Sequence, residues 1–229
     1  MGVAMSMTAI RPAEQRLSLR AQVERAVSAA IISGELAPGT MLSVPTLAVQ
    51  FNVSATPVRE AMLDLEKRDF VEAVRNKGFR VTVVSEAALR NTAEIRQLLE
   101  PPAMERLAGT FEPSSLPELR RQADDIVAGA RDGDLTRYLE ADQAFHLALT
   151  AMLGNPLLVE LVEDLRGRTR LVGLAAMLDS QQLDRSAAEH HELLDALERG
   201  DGAAARDLMH RHIGHTTGWW AGKPESDAE

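Results

Sequence analysis

The sequence predicts a mainly α-helical protein, with an N-terminal winged helix-turn-helix (three helices plus a two-stranded wing) followed by an antiparallel all-helical bundle. Three observations carry this expectation. Apolar residues recur at helical spacing in three short segments before residue 68. One β-rich alternating stretch, FVEAVRNKGFRVTVVS, follows at 70–85. Beyond Ser85 strand signals stop, and helix-period segments separated by Gly, Pro and Asn continue to the C-terminus.

The elements follow in order. Leu19, Val23, Val27, Ala30 and Ile31 share one helix face, and Gly34 with Pro38-Gly39 stops that helix. Pro45 to Phe51 reads as a second helix, Asn52-Val53-Ser54 as a turn, and Ala55 to Lys67 as a third helix burying Val58, Ala61, Met62 and Leu65. Ser54 suits an N-cap, and Pro57 is tolerated where first-turn N–H groups lack helical partners. Phe70–Val74 and Phe79–Val84 form the two arms of a hairpin around Arg75-Asn76-Lys77-Gly78. Six helices are then expected: Glu86–Ala108, Ser114–Arg131, Leu135–Leu153, Pro156–Leu178, Ser186–Arg199 and Gly202–Gly218. Pro101-Pro102 should bend the first of them without ending it. Residues 1–15 and 221–229 lack an apolar period and read as frayed tails, leaving a head at 16–84 and a bundle at 85–220.

Composition narrows the function classes. The chain has 229 residues, 45% hydrophobic and 26% charged, a balance typical of soluble globular proteins. It contains no cysteine, so disulfides and thiolate metal sites are excluded, and any metal must rely on His, Asp and Glu. The opening MGVAMSMTAI has neither the basic n-region nor the apolar h-region of a secretory signal, and a cytoplasmic protein without membrane segments is expected. The net charge of −9 is unevenly spread: residues 1–85 carry 10 Lys/Arg against 8 Asp/Glu, and residues 86–229 carry 15 against 26. A head that tolerates phosphate is thus joined to a body that repels it.

On the third helix the exposed set is Thr56, Arg59, Glu60 and Leu63. In a helix-turn-helix this helix enters the major groove, where Arg59 can fork onto a guanine or pin a phosphate. Ser54 and Thr56 can donate to phosphates at the helix N-terminus, and the wing tip adds Arg75, Lys77 and Arg80. A solvated surface helix beside a charged turn has the same periodicity, so pattern alone leaves both open. The motifs Gly34-Glu35-Leu36-x-Pro38-Gly39 and Thr56-Pro57-Val58-Arg59-Glu60-Ala61 are more specific. Residues 17–84, which contain them, resemble the DNA-binding domain of the GntR family of bacterial regulators. That resemblance implies DNA contacts by Ser54, Thr56, Arg59 and Gly78, and Lys77 joins them as the basic residue beside Gly78 at the wing tip. Two positions depart from the family pattern: Ala55 stands where an Arg usually follows the turn serine, and Pro45 where a basic residue is common. Each missing Arg removes about 1–3 kcal/mol of base discrimination, so the operator should differ from that of typical members.

The acidic part holds a second pattern. Asp142 and His146 are spaced i, i+4, with His190 and His212 on later helices. Three imidazoles and a carboxylate suit a divalent transition metal such as Zn, Ni or Mn, although an Asp-x-x-x-His pair alone also describes surface ion pairs and core histidines. The stretches DQAFHLAL, GNPLL and EHHELLDALERGDGAAARDLMHRHI resemble the FCD ligand-binding domain over roughly residues 86–216. The resemblance implies Asp142, His146, His190 and His212 as metal ligands. His191, His210 and His215 are assigned no ligand role, with His215 one turn beyond His212. Asn155-Pro156 is assigned to helix capping. A small carboxylate effector would bind at the metal with help from Arg96, at a position where FCD members often place an Arg, or from Arg170. For both arginines a surface salt bridge is the alternative. The expected protein is a homodimeric, effector-controlled regulator of double-stranded operator DNA and not an enzyme. A metal-free ligand cavity and a metalloenzyme are the rival readings.

Overall fold

The computed structural model describes residues 17–169 and 181–216. The expected tails and the 170–178 portion of the fourth bundle helix lie outside these residues. Helix α1 (Leu19–Ile32) starts at Ser18, whose Oγ accepts from the Ala21 amide at 3.2 Å, and buries Val23, Val27, Ile31 and Ile32. After strand β1 (Met41–Leu42), Ser43 caps α2 (Val44–Phe51) by accepting from Thr46 N at 3.2 Å, and Pro45 fits the first turn because its missing N–H would have no helical partner. The turn to α3 (Ala55–Lys67) passes through Asn52 at φ 52°, a left-handed conformation that Asn tolerates. Val58, Ala61, Met62 and Leu65 seal α3 against the head core, as their spacing predicts. An Arg20–Asp64 ion pair and Arg68 Nη1 on Glu24 Oε1 at 2.6 Å tie α3 to α1.

The wing is β2 (Val71–Val74) and β3 (Gly78–Val81), antiparallel, with Glu72 opposite Arg80 and their side chains 2.7 Å apart. It is the expected two-stranded hairpin, and β1 from before α2 extends its sheet to three strands in the order β1-β3-β2, with Leu42 opposite Phe79. Two residues are too few to show alternation, so β1 exists through its pairing rather than its own pattern. This pairing explains Gly78, which sits at φ +112°: a Cβ there would run into the Leu42 carbonyl oxygen and stand 3.2 Å from Ser43 Cα.

The bundle comprises α4 (Glu86–Ala108), a 3-10 turn (Pro113–Ser115), α5 (Leu116–Arg131), α6 (Leu135–Ala151), α7 (Pro156–Thr169), α8 (Gln182–Glu198) and α9 (Gly202–Gly214). Helix α4 starts at the Ser85 cap and runs as one helix through Pro101-Pro102 to Gly109. Helix α8 starts four residues before the expected Ser186. Helix α4 packs on α9 and α7, α5 on α6 and α8, and α8 on α9. Gly129 sets the α5–α6 separation, since a Cβ there would lie 2.7 Å from Tyr138 N. Tyr138, Phe145, Leu149, Leu193, Leu194 and Met209 fill the interior. Helix α1 packs on α6, where Arg25 lies 3.8 Å from Asp134. Among the described residues no helix is long and apolar enough to cross a membrane.

Candidate metal centre

Helical phase alone turns the four expected ligands inward. On α6, Asp142 and His146 share the buried face of Tyr138, Leu139, Phe145 and Leu149. On α8, His190 follows Ser186 and Ala187 and precedes Leu193 and Leu194 on the buried stripe, and on α9 His212 continues that of Ala205, Leu208 and Met209. Three helices thereby bring Asp142, His146, His190 and His212 together, with one donor atom from each within 4.8 Å of the others and all four residues buried. His146 Nε2 is 3.1 Å from His190 Nε2, and Asp142 Oδ1 is 3.1, 3.6 and 3.8 Å from the Nε2 atoms of His190, His146 and His212. The Phe145 ring meets the His146 and His190 rings edge-on at 5.3 and 5.0 Å.

The surrounding hydrogen bonds fix which atoms face the centre. His190 Nδ1 donates to the Ala187 carbonyl at 3.1 Å, and His212 Nδ1 to Glu189 Oε2 at 2.8 Å. With Nδ1 committed, each neutral ring offers its Nε2 lone pair inward. On the Asp142 carboxylate, Oδ2 accepts from Arg166 Nη1 at 3.0 Å, leaving Oδ1 on the histidine side. Lone pairs converging at about 3 Å repel unless a cation, proton or metal, lies among them. Tetrahedral donors about 2.0–2.1 Å from an ion lie about 3.3 Å apart, and the observed spacings bracket that value. The residues therefore fit a divalent transition metal, and the absence of thiolate leaves imidazole and carboxylate as the donor set.

Protonation follows the same logic. Burial, reinforced by the Arg166 charge, pushes His146 well below its usual range, and burial lowers His190, so both are held neutral as ligands must be. Burial also opposes charge on His212, but hydrogen bonds to Asp142 and Glu189 outweigh it and raise its pKa. Asp142 is held well down: burial works the other way and is overcome by His146 and Arg166.

A buried ion network abuts this centre. Glu100 Oε1 accepts from Arg96 Nε at 2.6 Å, while its Oε2 accepts from Arg166 Nη2 and Nε at 2.6 and 3.0 Å. Arg96 Nη1 also donates to Thr169 Oγ1 at 3.3 Å. Burial would raise Glu100, yet the Arg166 and Arg96 guanidiniums hold it at about 2. Arg96 is thus buried and joined to Asp142 through Glu100 and Arg166, in place of the alternative surface salt bridge; Arg170 lies outside the described residues. Sequence reasoning missed Arg166 and Glu100, although Arg166 sits four residues beyond buried Val162 and Glu100 four beyond Arg96. It also set aside His215, which is buried with Nε2 at 3.0 Å from both Glu189 oxygens. The other two histidines are peripheral: His191 pairs with Asp124 at 3.1 Å on the surface and His210 is exposed. Asn155 Oδ1 accepts from Leu158 N at 3.3 Å, the capping role expected of it.

On the head, Ser54 occupies the N-cap position of α3 without a side-chain cap bond, and Ser54, Thr56, Arg59 and Lys77 are all exposed. Gly78 is partly covered by β1.

Comparison with known proteins agrees with this architecture. The FCD domain profile matches residues 91–215, and that of the bacterial regulatory proteins of the gntR family matches residues 19–81. The chain is 31% identical over 187 residues to an HTH-type transcriptional regulator in an unstable DNA locus of Streptomyces ambofaciens, covering 80% of this chain and 77% of that protein. It is 29% identical over 195 residues to the HTH-type transcriptional repressor RspR of Escherichia coli K12, covering 84% of each. The solved structure of E. coli McbR/YncC superposes with a TM-score of 0.65 at 28% identity, covering 86% of this chain and 94% of that one. With its winged head and helical bundle, the chain belongs to the GntR family of transcriptional regulators and carries an FCD domain.

Proposed function

We propose that this regulator reads a two-fold operator as a homodimer and that its bundle, residues 85–220, senses a small carboxylate with the help of a divalent transition metal (Zn, Ni or Mn) held by Asp142, His146, His190 and His212. The observation that carries this reading is the convergence of four buried donors from α6, α8 and α9, with the outward nitrogens of His190 and His212 already tied to acceptors. When bound, the metal supplies a Lewis-acidic centre for a carboxylate oxygen. The protein's own residues supply the rest. Asp142 is held by Arg166, Arg166 by Glu100, and Glu100 by Arg96, so a carboxylate competing for Arg96 or Arg166 disturbs a chain that ends on a ligand.

The head, residues 16–84, would read DNA through Ser54, Thr56, Arg59, Lys77 and Gly78. Supporting this, the Ser54 hydroxyl makes no cap bond and the α3 N-terminus is exposed, so hydroxyl and first-turn amides can meet a phosphate. Arg59 projects from the exposed face of the same helix, as base readout requires. Metal analysis of purified full-length protein tests the sensor assignment. About one equivalent per chain is expected in the parent after zinc loading, and a large loss in His146→Ala and His212→Ala; equal content in all three would discard the site.

A further inference from the structure

We infer that Glu189, supported by His215, is a positioning residue for the metal centre: it orients His212 and holds it in the tautomer whose Nε2 faces Asp142. The inference rests on the metal reading above and names residues that reading does not use. Glu189 lies next to His190 on α8 but faces α9, where three side chains converge on it. Its Oε2 accepts from His212 Nδ1 at 2.8 Å, both oxygens lie 3.0 Å from His215 Nε2, and Arg211 Nε reaches Oε1 at 3.2 Å. The carboxylate is buried, as are both imidazoles.

An acceptor-only group at 2.8 Å requires Nδ1 to be protonated and to point outward, so the neutral His212 ring that a metal needs keeps its lone pair on Nε2, facing inward. Asp142 Oδ1 lies on that inward side, 3.8 Å from His212 Nε2. A negative charge on the outer nitrogen also makes the inner one a better donor to a cation. His215 completes the device by donating to the same carboxylate, which stops Glu189 from rotating away from His212. Because α8 supplies both His190 and Glu189, the register of one helix sets one ligand directly and a second at one remove.

Outer partners of metal-bound histidines are typically worth about 10–100-fold in metal affinity. The test compares zinc binding, by competition with a chromogenic chelator, in the full-length parent and Glu189→Gln, which preserves side-chain shape. The expected result is about 10–100-fold weaker binding in the variant with all four ligands intact. Nitrogen-15 spectra of the zinc-loaded parent provide a second readout that a merely structural role would not move. His212 should coordinate through Nε2 and carry an exchange-protected Nδ1 proton, and Glu189→Gln should lose that protection. Equal zinc affinity in the two proteins, or coordination of the parent's His212 through Nδ1, would overturn the inference while leaving the metal reading intact. If Glu189→Gln does not fold, the parent's spectrum decides alone. Failure of the parent to bind zinc would overturn the metal reading itself and this inference with it.

Discussion

Replacing Glu100 by Gln removes the carboxylate that lies between the two buried guanidiniums of Arg96 and Arg166. Arg96 and Arg166 donate three hydrogen bonds to it at 2.6–3.0 Å, and all three residues are about 3% exposed. A neutral amide leaves Asp142 as the nearest counter-charge for Arg166, which it contacts at 3.0 Å. Breaking a buried pair from one side costs about 3–5 kcal/mol. For a chain of this size that is a fall in melting temperature of about 6–20 °C. The pH dependence gives an independent check. The native Glu100 carboxyl is held at about 2 against an ordinary 4.5, so its contribution is fully present above pH 4.5 and disappears as the pH falls towards 2. The depression corresponds to about 3 kcal/mol. Thermal melts of parent and Glu100→Gln between pH 7 and pH 2 should show a wide gap that narrows over that window, because the parent loses what the variant never had. A variant as stable as the parent at pH 7, or a gap that stays constant with pH, refutes the reasoning.

Three further outcomes follow from single contacts. Gly129→Ala should destabilise the bundle by about 1–3 kcal/mol, because the new methyl meets the Tyr138 backbone, which cannot swing aside; denaturant titration measures it. Gly78→Ala should cost about 1–3 kcal/mol through its left-handed φ and the collision with β1, and amide exchange should localise the loss to the wing. Arg59→Ala should weaken operator binding and, if the side chain neutralises a phosphate, reduce the salt slope by about one; fluorescence anisotropy at several salt concentrations reads both.

Which parts of this architecture were legible in the sequence follows from where the information resides. Helix α4 begins and ends where Ser85 and Gly109 place it, since cap and stop are local signals. Helix α8 starts earlier than its apolar stripe suggests, at a Gln181 N-cap position with no side-chain cap bond to mark it. Strand β1 is defined by Phe79 and Arg80 across the sheet and leaves no trace in its own two residues. The four candidate ligand positions come from the resemblance to the FCD domain, and the structure turns all four inward among the apolar residues around them. Arg166, Glu100 and Glu189 were missed because a charged residue in an acidic helical segment reads as solvated face. Arg96 and Glu100 pair within α4, but only the packing of α4 on α7 and of α8 on α9 brings Arg166 onto Glu100 and His212 onto Glu189 as buried partners. His215 was discounted for the same reason, since its carboxylate partner is 26 residues away.

The proposed link between a bundle that holds a metal at Asp142, His146, His190 and His212 and a head that reads DNA is tested most directly by operator affinity. Full-length protein would select its operator from genomic fragments, and binding would then be titrated for zinc-loaded and chelator-stripped protein, alongside His146→Ala. The account predicts different affinities for the loaded and stripped parent, and a variant indifferent to zinc; by linkage, operator should shift the parent's zinc affinity by the same factor. Identical operator affinity with and without zinc, in a parent shown to bind it, would contradict the account.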